Sequence, residues 1–170
     1  PKPQNPALSA PYNKMKPTLG YWKIRGLAGG IRHQLQYCEV DYENVEYEQG
    51  DGPEFSRDAW FDQKYTLGLE FPNLPYLFDG ELKMTETMAI HKYIADKWKP
   101  ELLGRDAPHR GHISMLANRV IDFKNEITGP CYGRGGNRVE DVLAGCDKHL
   151  PSILDYMGAN TYLCGNEPSY

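Results

Sequence analysis

The chain has 170 residues, 40% of them hydrophobic, with a net charge of −4 from interspersed acids and bases. That balance argues against a nucleic-acid surface, and no window nears the run of about eighteen apolar residues that a membrane helix needs. The length suits one domain or two small ones. Cys38, Cys131, Cys146 and Cys164 stand at neither CxxC nor metal-ligand spacing. With no leader segment in view, a reduced, cytoplasmic protein is expected.

In chain order, residues 1–16 hold Pro1, Pro3, Pro6 and Pro11 with few apolar neighbours, a composition that makes an extended tail. Such a tail orders best against a partner, so it is a candidate contact for a larger assembly. Thr18–Trp22 is a short β-type run, and Gly26, Gly29 and Gly30 break it before a helix over 31–40. Residues 42–47 alternate as a second strand, and 54–65 form a weak helix or an irregular loop. Residues 76–78 and 81–84 make a hairpin about an Asp79-Gly80 turn, and 85–98 is a helix. This βαβαββα order over 17–98 predicts an α/β domain, a mixed sheet with helices on its faces.

A linker over 99–108 opens at Lys99-Pro100. Beyond it, over 109–170, Ile113, Leu116, Val120, Phe123 and Ile127 repeat at helical spacing. Val139, Val142, Leu143, Cys146, Leu150, Ile153, Leu154 and Met157 make a second stripe, with Gly129-Pro130 and Gly133 to Gly136 between the two. The pair reads as a helical hairpin in an all-α domain. Two helices cannot bury two such stripes and build a core alone, so a further cover is expected and the helical domain reads as incomplete.

The run Phe71-Pro72-Asn73-Leu74-Pro75-Tyr76, followed by Thr85-Glu86-Thr87, joins a proline turn to the mouth of a helix. Pro75 has no N–H to give, which leaves the backbone groups of Leu74 for a ligand, and a cis bond is expected before it. Helix N-termini attract carboxylates. Together these features suit a grip on a peptide. His109 and His112, one helical turn apart, have no nearby cysteine or acid pair and are not expected to hold a metal. The glycines near 133 lack the Lys-Ser/Thr of a phosphate loop.

Three segments in register, Leu19-Gly20-Tyr21-Trp22, LGLEFPNLPYL over 67–77 and MAIHKYIA over 88–95, resemble cytosolic glutathione S-transferases, specifically the mu class and its helminth relatives. The resemblance runs from about Lys16 to the end of the chain and implies a thioredoxin-like first domain. It implies that Tyr21 is catalytic, donating a hydrogen bond to the glutathione sulfur, with Trp22 beside it among the glutathione contacts. Trp60 and Lys64 match residues that hold the glycine carboxylate, and Asn73, Leu74 and the cis-proline Pro75 match those along the cysteinyl backbone. Glu86 and Thr87 stand where mu enzymes carry Gln-Ser: the threonine keeps a hydroxyl for the γ-glutamyl carboxylate, and the glutamate faces its ammonium. Asp122 matches an acid that reaches the neighbouring subunit's glutathione, and Tyr132 an aromatic of the electrophile pocket. Phe71 matches an aromatic that inserts into the partner of a homodimer. The resemblance also implies further helices, the next one starting at Ser169.

The function implied is a glutathione transferase that adds the thiolate to small hydrophobic electrophiles in detoxification. Glutathione is then a co-substrate, and no metal, bound cofactor, nucleic acid or membrane is called for. The alternative is a non-catalytic structural or interaction subunit on the same fold. A thioredoxin-type redox protein is excluded because Tyr21 to Gly30 holds no cysteine.

Overall fold

A computed structural model describes residues 15–133 and 138–170; most of the Pro-rich tail and residues 134–136 of the glycine loop lie outside the described residues. The chain divides into two units between Ile90 and His91. The first contains β1 (Thr18–Trp22), α1 (Ala28–Tyr37), β2 (Glu43–Tyr47), α2 (Asp58–Phe61), β3 (Tyr76–Asp79), β4 (Leu82–Thr85) and the start of α3 (Thr87–Trp98). The strands form one sheet in the order β2-β1-β3-β4. β1 runs parallel to β2 and antiparallel to β3, and β3 is antiparallel to β4. This is the thioredoxin-like arrangement that the βαβαββα order predicts.

Alternation along β1 separates two faces of the sheet. Leu19 and Tyr21 point one way, and Gly20 and Trp22 the other. Leu19, Ala28, Ile31, Leu35, Leu77 and Ile90 are fully buried and make the aliphatic core. Each large side chain among them stabilises the fold by about 1.5–3 kcal/mol. The Gly20 face instead carries a cluster of rings. Tyr76 stacks on Phe78 and Trp60, and Tyr47 meets Trp22, Trp60 and Tyr76 edge-on.

Several boundaries differ from the sequence reading for local reasons. Helix α1 begins at Ala28 rather than Ile31 and includes Gly29 and Gly30, because the Gly29 N–H already donates to the Arg25 carbonyl at 2.7 Å. It ends before Val40 in a Schellman motif: Val40 N–H donates to Leu35 O at 2.9 Å and Glu39 N–H to Gln36 O at 3.0 Å. Glu39 takes the left-handed position, φ 55°, where a glycine would have signalled the stop. In the hairpin Asp79 still pairs with Leu82, so the two-residue loop is Gly80-Glu81, with Gly80 at φ 61°. Thr85 belongs to β4, paired with Tyr76, and α3 starts at Thr87.

In the second unit a 3₁₀ turn over Pro100–Leu103 precedes α4 (Ala107–Thr128). The Asp106 carboxylate caps α4 by accepting from the His109 N–H at 2.8 Å. α5 (Arg138–Met157) packs along α4. The pair buries Ile113 and Leu116 from one helix and Gly145, His149 and Ile153 from the other. Val120, Val139, Leu143 and Leu154 of the two stripes stay exposed, as the arithmetic of two stripes on two helices predicts. The residues from Gly158 onward form no helix. The Tyr170 hydroxyl instead hydrogen-bonds that of Ser114 at 3.1 Å, and the Cys164 carbonyl meets the His109 ring at 3.1 Å. Among the described residues no helix is long and apolar enough to cross a membrane.

Burial pushes His91, in α3, from 6.5 down to about 4. The unfolded chain therefore takes up this proton first as pH falls. His91 favours the folded state in full above pH 6.5, and that contribution is lost as pH drops toward 4. Wild-type protein should lose about 2 kcal/mol from this source between pH 7 and 4.5. His91→Gln should flatten that part of the slope in urea midpoints; an unchanged slope would exonerate His91.

Candidate functional site

The strand register assembles the first part of the site. Gly20 opposes Tyr76, and Tyr76 opposes Thr85, so these three form one row across β1, β3 and β4. The next residues toward the same end of the sheet are Tyr21, Pro75 and Glu86. Three segments far apart in sequence thus meet at one edge. The Thr85 hydroxyl donates to the Phe71 carbonyl at 3.0 Å, which ties the proline turn to the end of β4. The Leu74–Pro75 peptide is cis.

Tyr21 is buried, and its hydroxyl oxygen accepts from the Leu27 N–H at 3.1 Å. A phenol that accepts in this way keeps its proton for another acceptor. Gly26 makes the arrangement feasible: it sits at φ 39°, and a Cβ there would lie 2.6 Å from the Tyr21 hydroxyl. In the sequence Gly26 reads only as a breaker, and nothing points to Leu27, because its contribution is a backbone group.

The backbone groups of Leu74 are not all free, contrary to the sequence reading. The Leu74 N–H donates to the Asn73 side-chain oxygen at 2.9 Å, since a short amide side chain readily closes on the neighbouring backbone. Pro75 is fully buried, whereas Asn73 is exposed. Glu86 is exposed and held at φ 71°, an unusual conformation for a residue with a side chain. Its carbonyl accepts from Ile90 N–H at 3.0 Å, and Thr87 is the first residue of α3.

Trp60 is only 3% exposed. Its ring lies 5.3 Å from Tyr47 and 6.2 Å from Tyr76, which joins it to the sheet beside the Gly20 row. Lys64 follows one turn later, its N–H donating to the Trp60 carbonyl at 2.9 Å. The Lys64 ammonium lies 5.5 Å from the Phe61 ring centre and 5.4 Å from that of Tyr65. Trp22 is half-buried, edge-on to Tyr47 at 6.4 Å. Phe71 is 70% exposed, although its carbonyl is engaged.

The remaining candidates belong to the second unit. Tyr132 is 76% exposed in a short 3₁₀ turn after α4. Asp122 is exposed on α4 and lines a cleft of about 440 Å³ with Arg119, Asn125, Glu126, Lys148 and His149. Glu126 pairs with Lys148 at 3.0 Å, and this hydrogen bond holds its carboxyl below the usual range. His109 and His112 are each engaged separately, His112 with the Tyr156 hydroxyl at 2.9 Å and His109 with the Cys164 carbonyl.

Residues 17–96 match the family model described as the glutathione S-transferase N-terminal domain. A glutathione S-transferase of Mesocricetus auratus is 38% identical over 157 residues, which cover 92% of this chain and 71% of that protein. Glutathione S-transferase Mu 2 of Mus musculus is 36% identical over the same coverage. Among solved structures, that of the glutathione S-transferase Blo t 8 superposes with a TM-score of 0.74 at 30% identity, over 90% of this chain and 70% of that one. The chain belongs to the glutathione S-transferase family of enzymes, with mu-class members among its relatives.

Proposed function

We propose that the protein binds glutathione along the Tyr21–Pro75–Glu86 edge and transfers its thiolate to small hydrophobic electrophiles. The observation that carries this reading is the Tyr21 hydroxyl, which accepts from Leu27 N–H and has a proton left to donate to sulfur. In this reading the Leu74 carbonyl accepts from the cysteinyl N–H, beside Asn73 and the cis-proline. Glu86 and the Thr87 hydroxyl take the ammonium and carboxylate of the γ-glutamyl end, at the positive mouth of α3. Trp60 and Lys64 take the glycine carboxylate, and Trp22 flanks the peptide. The thiolate attacks the electrophilic carbon; the C–S bond forms as the leaving group departs with its electron pair. Binding holds the two reactants together, and the thiolate is the activated nucleophile.

The same reading makes the enzyme a cytoplasmic homodimer engaged in detoxification. Phe71 would reach into the partner, Asp122 would approach the neighbouring subunit's glutathione, and Tyr132 would border the electrophile. Glutathione is a co-substrate and no metal or bound cofactor takes part. No specific observation favours a non-catalytic subunit. Folded protein should be retained on immobilised glutathione, elute with free glutathione, and turn over an activated aryl halide. Folded protein that passes straight through the resin would overturn the reading.

A further inference from the structure

Helix α2 has only four residues, Asp58–Phe61, far too short to hold a conformation by its own hydrogen bonds. Trp60 is nevertheless almost wholly buried. A pair of tyrosines from the sheet packs against it. Tyr76 lies nearly parallel to the indole, at 6.2 Å and 26°, while Tyr47 meets it edge-on at 5.3 Å and 67°. The two tyrosine rings are 6.4 Å apart and their phenol oxygens 3.0 Å apart, so the two rings that Trp60 packs against are joined to each other. Both tyrosines are anchored to β1. Tyr76 opposes Gly20, next to Tyr21, and Tyr47 pairs with Trp22.

We propose that Tyr47 and Tyr76 are positioning residues, a platform locked by their hydroxyl–hydroxyl bond that aims the Trp60 indole N–H at the glycine carboxylate of glutathione. The inference rests on the reading of Trp60 and Lys64 given above. The indole N–H is a donor only, and a donor on a one-turn helix acts at a fixed point only when its ring is immobilised. Burial and the bond to Tyr47 push the Tyr76 phenol well above its ordinary range, so the hydroxyl bond persists throughout the working pH range. In this arrangement the platform meets neither sulfur nor electrophile. It should therefore govern affinity for one end of the peptide and leave turnover at saturation alone.

The test is calorimetric titration of the full chain with glutathione and with γ-glutamylcysteine, which lacks the glycine. Tyr47→Phe removes one hydroxyl and keeps both rings. The glutathione dissociation constant should rise about three- to tenfold, while that of γ-glutamylcysteine stays within about twofold. Tyr76→Phe, which removes the other hydroxyl, should repeat the pattern, and a thermal melt establishes that each variant is folded. Equal weakening for both peptides would reveal a general structural role and overturn the positioning role, as would no change for either. Wild-type protein that binds the two peptides equally would overturn the glycine-carboxylate role itself. Wild-type protein that binds neither would overturn the proposed function with it.

Discussion

Replacing Tyr21 with Phe should lower turnover about 10- to 100-fold while the glutathione dissociation constant moves less than about threefold. The magnitude follows from the chemistry assigned to the hydroxyl. Lowering a thiol's pKa by two units requires about 2.7 kcal/mol of preference for the thiolate, and one hydrogen bond to a charged group supplies about 1.5–3 kcal/mol. A single phenol is thus sufficient. Affinity is spread over the rest of the peptide and should survive. The pH profile of kcat should also move to higher pH by as much as about two units, because the unassisted thiol ionises later. Phe at 21 deprives Leu27 N–H of its acceptor as well, so a melting curve is needed to separate folding from chemistry. Matched losses in turnover and affinity, or an unmoved pH profile, would remove Tyr21 from its role.

The second large effect is on stability. Gly20→Ala should destabilise the fold by about 3 kcal/mol, read as a fall in the urea midpoint. A Cβ at position 20 would lie 2.0 Å from Cζ of Tyr76 and 2.2 Å from its Cε1, well inside contact distance. Alanine is ordinarily the better strand residue, by about 0.5–1 kcal/mol, so the sign depends on whether the ring can yield. It has little room to do so. Phe78 stacks on it at 4.5 Å, Trp60 covers it at 6.2 Å, and Tyr47 holds its hydroxyl. The strand cannot retreat either, because β1 is hydrogen-bonded to β2 on one side and β3 on the other. A variant within about 0.5 kcal/mol of wild type would show that the ring swings aside after all.

Much of the first unit is legible in the sequence, because alternation in Thr18–Trp22 and the helical spacing after Thr87 are strong local signals. The cis bond before Pro75 is legible for the same kind of reason: proline has only a few uses in a strand. What escapes is whatever depends on another element. Glu39 ends α1 in a position usually marked by glycine, and Asp79 stays in its strand through pairing with Leu82. Trp60 stands on a short segment with little pattern of its own, and it is buried where it meets tyrosines from two distant strands. Leu27 enters the site through its amide, which every residue but proline possesses. A hydrogen bond from the backbone leaves no mark on side-chain identity.

Glu86 shows how such a site burdens its own scaffold. A side-chain-bearing residue at φ 71° costs about 1–2 kcal/mol relative to the right-handed conformations it prefers. Being exposed, it returns little through packing. Glycine at 86 would relax the backbone and stabilise the resting protein, yet would remove the carboxylate that the proposed function assigns to the peptide's ammonium. Position 86 is therefore a point where robustness and recognition pull in opposite directions, and screens for thermal tolerance and for glutathione affinity should choose different residues there.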